Sequence, residues 1–254
     1  MTIRVKIKQF LFITFFCAAW AVPSAARGQS FQEAGRYYKE NNYDRAIEAY
    51  DKIRRDGFES GELYYNLGNS YFKKGDLGRA LLNFERAKFF IPHDGDLRSN
   101  YDYVRSALNS PVRYSYEPWF FRWVDRLFDS IAMNILTIIV SALWISILVL
   151  LSAAMFAPAF RRFLFLSAGM LSVFLVICSL SLARKAAFYE RGAVIVGGEI
   201  EAKFEPASGA TTYFKLPEGS PVYALDRSAG WVKIRRPDAK IGWVPSSSVA
   251  GIRE

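Results

Sequence analysis

Hydrophobic and polar positions divide this chain into three regimes. In the middle, no charged residue occurs between Asp129 and Arg161, and none between Arg162 and Arg184. Every face of a helix built from these runs is apolar, relieved only by Ser, Thr and Asn, whereas a core helix keeps a polar back. A spanning helix needs roughly 20 mostly apolar residues to cross the hydrocarbon. The pattern therefore predicts membrane helices over 131–157 and 163–183, linked by a turn holding Pro158 and Arg161-Arg162. Two spans return the chain to its starting side, so the segments before and after them must share one compartment.

Ahead of the hairpin, residues 27–109 alternate on a helical period. Tyr64, Leu67, Gly68 and Tyr71, then Ala80, Phe84, Ala87 and Pro92, fall at the spacing of a tetratricopeptide repeat of about 34 residues. Gly68 and Ala80 are small where the paired helices must approach, Gly75-Asp76 makes the turn, and Pro92 closes the second helix. One repeat earlier, Ala34, Tyr37, Ala46 and Tyr50 answer Gly68, Tyr71, Ala80 and Phe84, with Asn41-Asn42 as the turn. Ile53 stands where Ala87 would, so this repeat is degenerate. Asp96 to Leu108 reads as a polar capping helix, which repeat arrays need for solubility.

In such repeats the first helix of each pair lines a concave groove. By register the groove positions are Tyr38 and Lys39, then Tyr65, Asn69, Phe72 and Lys73, then Tyr103 in the cap. An asparagine there can bond the backbone of an extended peptide, and tyrosines give flat contact at low entropy cost. The same aromatics would equally serve packing between neighbouring helices.

After the hairpin the period changes to two over 186–254. Short strands are expected at 193–196, 212–216, 222–225, 231–235 and 241–244, separated by turns that carry Gly, Pro or Asp. Five short strands in this length suit a small all-β barrel. The wording Gly219-Ser220-Pro221-Val222, Gly230-Trp231-Val232 and Ile241-Gly242-Trp243-Val244-Pro245 resembles the bacterial SH3-like family, whose domains bind peptides or cell-wall material. Trp231 and Trp243 would then form a ligand shelf, or else serve as ordinary barrel packing.

The charge of the chain, +9, sharpens this picture once it is located. The excess lies in the first residues and around the apolar runs, where anionic headgroups attract Lys and Arg. The segments 27–109 and 186–254 are nearly balanced, so nothing asks for a nucleic acid. Residues 110–130 interleave Tyr114, Tyr116, Trp119, Phe120, Phe121 and Trp123 with Arg113, Arg122 and Arg126, an interfacial linker at the level of the lipid bilayer's headgroups. At the N-terminus, Arg4, Lys6 and Lys8 precede an apolar run and Pro23-Ser24-Ala25-Ala26. That is a signal-peptide pattern over 1–26, with an uncleaved anchor as the alternative. Arg161-Arg162 suits a cytoplasmic turn, although Arg122, Arg126, Arg184 and Lys185 on the outer flanks pull against it. The signal peptide acts first in synthesis, so both soluble parts are expected outside the inner membrane, on the periplasmic side.

The chemistry-bearing residues are few. The two cysteines, Cys17 and Cys178, lie in apolar runs, and the one histidine, His93, follows a proline. No nucleophile–base pairing, thiolate metal site or phosphate-cradling loop is present. The expectation is a protein without catalytic residues, cofactor or metal.

Leader, repeats, hairpin and SH3-like segment occur in the order of the BatE family of aerotolerance-operon proteins. The chain resembles that family most in Leu63-Tyr64-Tyr65-Asn66-Leu67-Gly68-Asn69-Ser70-Tyr71, Gly75-Asp76-Leu77-Gly78-Arg79-Ala80 and Asp96-Leu97-Arg98-Ser99-Asn100. The resemblance implies a non-catalytic scaffold in an envelope complex for stress tolerance. Its implied partners are membrane proteins with von Willebrand factor A domains and, through them, a MoxR-type ATPase. Peptidoglycan bound by the SH3-like segment is the alternative.

Overall fold

The computed structural model describes residues 24–108 and 119–253, and the chain divides after Phe58 into two compact units. Residues 1–23, with most of the expected leader, and 109–118 lie outside the described residues.

The first unit is an antiparallel helix pair, α1 (Ser24–Lys39) and α2 (Tyr43–Arg55). The expected cleavage point after Ala26 falls in the first turn of α1. Asn41 adopts φ +60° in the turn, and the Asn42 side chain caps α2 by accepting from the Arg45 N–H. Ala34 and Ala46 are fully buried where the helices meet, and Phe31 stands edge-on to Tyr50 at 5.4 Å.

The second unit holds everything else. A second pair, α3 (Gly61–Lys74) and α4 (Leu77–Lys88), is followed by α5 (Gly95–Ala107). Ser60, Asp76 and Asp94 accept from the backbone N–H three residues on, the N-cap arrangement that satisfies otherwise orphaned donors. Gly75 ends α3 in the left-handed region at φ +86°, where a side chain would strain the backbone. Gly68 lets the pair close: a Cβ there would lie 2.5 Å from the Phe84 ring.

α6 (Trp119–Phe128) leads into α7 (Met133–Phe156), then a short 3-10 turn at Pro158–Phe160 and α8 (Arg161–Arg191). Both α7 and α8 are long and apolar enough to cross a membrane. α7 lies within the apolar run expected at 131–157, whereas α8 continues eight residues beyond Ala183 and runs straight into the sheet. Ala186 and Ala187 are good helix formers, and Phe188 and Tyr189 are held by packing on Phe89, with ring centroids at 6.2 and 5.1 Å.

The C-terminal part differs most from expectation. Instead of a five-stranded barrel it is a seven-stranded antiparallel sheet in the order β3-β2-β6-β5-β4-β1-β7, with β3 and β7 as unjoined edges. The strands are β1 (Gly192–Ile195), β2 (Ile200–Lys203), β3 (Thr212–Leu216), β4 (Pro221–Ser228), β5 (Trp231–Arg235), β6 (Ile241–Pro245) and β7 (Val249–Gly251). β2 and β7 are too short to show a period of two. β4 pairs with β1 through residues 221–223 and with β5 through residues 223–228, with a register shift between Ala224 and Asp226 that bends the sheet. Ile195, Ala202, Leu216, Val222, Val232, Ile234 and Val244 fill its inner face.

The helices and the sheet are not separate beads on a string. Val194 and Ile252 are buried in the same core as Tyr64, Leu81, Phe84 and Val104. Glu218, in the β3–β4 turn, accepts from the Gly78 N–H at 3.0 Å, and Gly219 sits so close to Leu108 that a Cβ would lie 2.6 Å from its methyl. The Met133 N–H donates to the Phe89 carbonyl at 3.1 Å, joining the start of α7 to the end of α4.

Candidate ligand groove and aromatic sheet face

Helices α3 and α5 bring together four of the seven expected groove residues. Tyr65, Asn69 and Phe72 lie at i, i+4 and i+7 on α3, one stripe of that helix. Asn100, on α5, reaches across to this stripe. Its amide donates to the Asn69 side-chain oxygen at 2.9 Å and to the Tyr65 hydroxyl at 3.1 Å. One helical turn further along, Phe72 meets Tyr103 edge to face, with centroids 5.6 Å apart. Tyr65 packs its ring on Phe84 at 6.1 Å, so its body belongs to the core and its hydroxyl to the groove.

The polar groups of this site are only half used. Among the described residues nothing takes the Asn69 amide hydrogens or the Asn100 carbonyl oxygen. Whichever way the two amides are turned, their mutual bond leaves one donor side and one acceptor side facing outward. That is the complement of a peptide unit, which offers one N–H and one C=O. Tyr103 is 62% exposed, a large amphipathic ring open to contact on its outer side. Lys73 is exposed at the end of α3 and makes no ion pair among the described residues.

Tyr38 and Lys39 belong to the first unit. Tyr38 stands edge-on to Tyr43 at 5.6 Å, and Lys39 is exposed in the last turn of α1. Asn100 is the member that sequence reasoning missed. Register points only to Tyr103 on its helix, and nothing in spacing alone marks an asparagine on a polar helix as the residue that orders two side chains on another.

Trp231 and Trp243 occupy the other candidate surface. Val232, Ile234, Gly242 and Val244 point into the sheet's core, so the alternating positions Trp231, Lys233, Trp243 and Pro245 share its outer face. Trp243 lies between Lys203 on β2 and Lys233 on β5 in the strand register. The Lys233 ammonium is 5.7 Å from the Trp243 ring centre, and the Lys203 ammonium is 6.0 Å from that of Trp231. Both rings are half-buried and lie outside the core, flanked by cations that favour their faces.

Among the described residues no group of three His, Cys, Asp or Glu side chains is placed to hold a metal ion. Two tyrosines among the described residues share one carboxylate. Glu59 accepts from Tyr64 at 2.9 Å and from Tyr189 at 2.6 Å. Burial first, then the bond to Glu59 and its charge, pushes Tyr189 up to about 12; burial and the same carboxylate push Tyr64 further up. Two phenols kept neutral in this way are hydrogen-bond donors joining α3 to the end of α8.

No protein-family model matches this chain, and no curated protein matches it.

Proposed function

We propose that this chain is a non-catalytic, membrane-anchored binding protein that captures an extended segment of a partner protein between α3 and α5. The observation that carries this reading is the Asn69–Asn100 amide pair, with an outward donor and acceptor beside the exposed Tyr103 ring. The close approach of Gly68 to Phe84 and the closing helix α5 support reading α3–α5 as part of a tetratricopeptide array. The bent antiparallel sheet, with Trp231 and Trp243 on its outer face, supports an SH3-like reading of the C-terminal part.

From the resemblance in its repeat wording we infer a BatE-like scaffold. It sits in the bacterial inner membrane with helices and sheet on the periplasmic side. Its partners are membrane proteins with von Willebrand factor A domains and, through them, a MoxR-type ATPase. No cofactor enters this reading.

Co-purification from native membranes in mild detergent tests it. The intact chain is compared with a Tyr65→Ala/Asn69→Ala/Tyr103→Ala variant, with circular dichroism to verify folding. Loss of the von Willebrand-type proteins from the variant supports the groove. The same partners on both would end it.

A second reading rests on the outer sheet face, where two tryptophans flanked by lysines suit the sugar faces and carboxylates of peptidoglycan. Its test is sedimentation of the detergent-solubilised full chain with purified sacculi. Residues 186–254 alone are a poor reagent, since Val194 and Ile252 belong to a core shared with the helices. A Trp231→Ala/Trp243→Ala variant that sediments like the parent rules this reading out.

A further inference from the structure

Helix α6 carries two apolar faces, and the hairpin covers only one. Val124 and Phe128 are buried with Leu136 and Cys178, and the Arg184 guanidinium lies 4.9 Å over the Phe121 ring. Phe120, Trp123 and Leu127 are 37%, 46% and 49% exposed, with the first two rings stacked at 6.2 Å. At 100° per residue these three fall within an arc of about 60°. They form a continuous strip.

The strip cannot turn inward, because α6 is fastened at several points. Asp125 accepts two bonds from Arg184, at 3.0 and 2.7 Å. The Lys185 ammonium donates to the carbonyls of Phe128 and Ile131 at 2.7 and 2.6 Å, tying down the C-terminal end of α6. Arg184 is the first charge after the second uncharged run, and Asp125 lies four residues ahead of Asp129, the last charge before the first run. Below them α6 reaches the level of Leu136 and Cys178, alongside helices that leave Ile138, Ile145 and Val176 more than half exposed. The strip therefore continues an apolar surface of the kind that faces lipid.

We propose that α6 is a membrane-seated collar. Its Phe120–Trp123–Leu127 strip lies in the boundary between headgroups and acyl chains, while Arg126 and Asp129 stay in water. The occupant of this face is the bilayer. Aromatic and aliphatic side chains beside basic residues partition to that depth. Because α6 is fastened to the hairpin, and the hairpin to the helices through Met133 and Phe89, the collar fixes the height at which the α3–α5 groove stands above the lipid. The inference rests on α7 and α8 spanning the membrane.

The test uses the full chain in a Cys17→Ser/Cys178→Ala background, reconstituted into vesicles of phosphatidylethanolamine and phosphatidylglycerol. Nitroxide labels are placed singly by Trp123→Cys, Leu127→Cys, Arg126→Cys and Val149→Cys, and their accessibility to oxygen and to a water-soluble nickel chelate is compared. Oxygen should dominate at 123 and 127, nickel at 126, and oxygen most strongly at 149 in mid-span. Nickel dominance at 123 and 127 with lipid exposure at 149 overturns the collar while leaving the hairpin intact. Protection from both reagents at 123 and 127 also overturns it, since protein would then cover the face. Nickel dominance at 149 means that the spanning assignment itself is wrong.

Discussion

Arg86 and Ile252 stand 166 residues apart in sequence, yet the Arg86 Nε donates to the Ile252 carbonyl oxygen at 2.7 Å. A second guanidinium nitrogen donates to the Gly251 carbonyl, also at 2.7 Å, and a third to the Asn83 side chain at 3.1 Å. The planar fork spans adjacent carbonyls at the end of the sheet, and its face lies 5.6 Å from the Tyr64 ring. Arg86 is 3% exposed. Such a residue joins two segments that the long apolar helices α7 and α8 separate in the chain.

Arg86→Ala should therefore loosen the helix–sheet unit rather than merely remove a surface charge. Hydrogen bonds to a charged donor are worth about 1.5–3 kcal/mol each, and the buried Ile252 carbonyl and the half-buried Gly251 carbonyl lose theirs. We expect a loss of about 3 kcal/mol. Arg86→Lys should rescue little, because one ammonium cannot reproduce the fork. Urea unfolding of the detergent-solubilised protein, followed by intrinsic fluorescence, measures it. An unchanged midpoint for Arg86→Ala would show that the fork contributes nothing.

Gly68→Ala should force α3 and α4 apart. The new methyl would meet the Phe84 ring at 2.5 Å and the Ala80 carbonyl at 3.3 Å. Overpacking of this kind costs about 1–3 kcal/mol. Gly95→Ala, where a methyl meets nothing within 4 Å, is the control and should be neutral or slightly stabilising. Adding Phe84→Leu to Gly68→Ala should recover part of the loss. Thermal unfolding of the four proteins decides the matter, and equal midpoints for the two glycine variants would refute the close approach.

The Glu59 clamp makes stability sensitive to alkali. Tyr189 rises to about 12 and Tyr64 shifts the same way, both above the ordinary value of about 10 for a free tyrosine. The fold thus favours the neutral phenols. Their contribution is complete below about pH 10 and is lost as pH climbs toward 12. Absorbance titration at alkaline pH should show late-ionising tyrosines that Glu59→Gln brings back toward the rest. A single transition near the free value in the parent protein would contradict the clamp.

Much of this arrangement is legible in residue types. Gly68, Ala80 and Phe84 announce a close helix pair, Asn41-Asn42 and Gly75-Asp76 mark two turns, and two uncharged runs announce the paired apolar helices. What stays hidden is long-range. Arg86 reads as an ordinary basic residue near a helix end until β7 is brought beside it. Val249–Gly251 and Ile200–Lys203 are too short to display alternation, so the sheet reads as five strands. Residues 186–191 read as part of a β domain because only Phe89 shows why they stay helical. Asn100 gains its role from Tyr65 and Asn69 on another helix, a relation that no local spacing encodes.

The Arg86–Ile252 contact also constrains topology, which gives the last prediction. Residue 86 precedes α7 and α8 and residue 252 follows them, so if both helices cross a bilayer the two residues can touch only when both flanks emerge on one side of it. Single cysteines at Tyr103→Cys and Ser246→Cys, both exposed positions, should react alike with a membrane-impermeant maleimide, in a background lacking Cys17 and Cys178. Phe160→Cys, in the link between the spans, should behave oppositely. In spheroplasts we expect labelling at 103 and 246 from outside, with 160 reacting only after permeabilisation. The reverse pattern would keep the helix–sheet unit but move it to the cytoplasm, because basic residues flank both ends of the hairpin. Labelling of 103 without 246 would be incompatible with any contact between Arg86 and β7, and would return the molecule to two modules on a string.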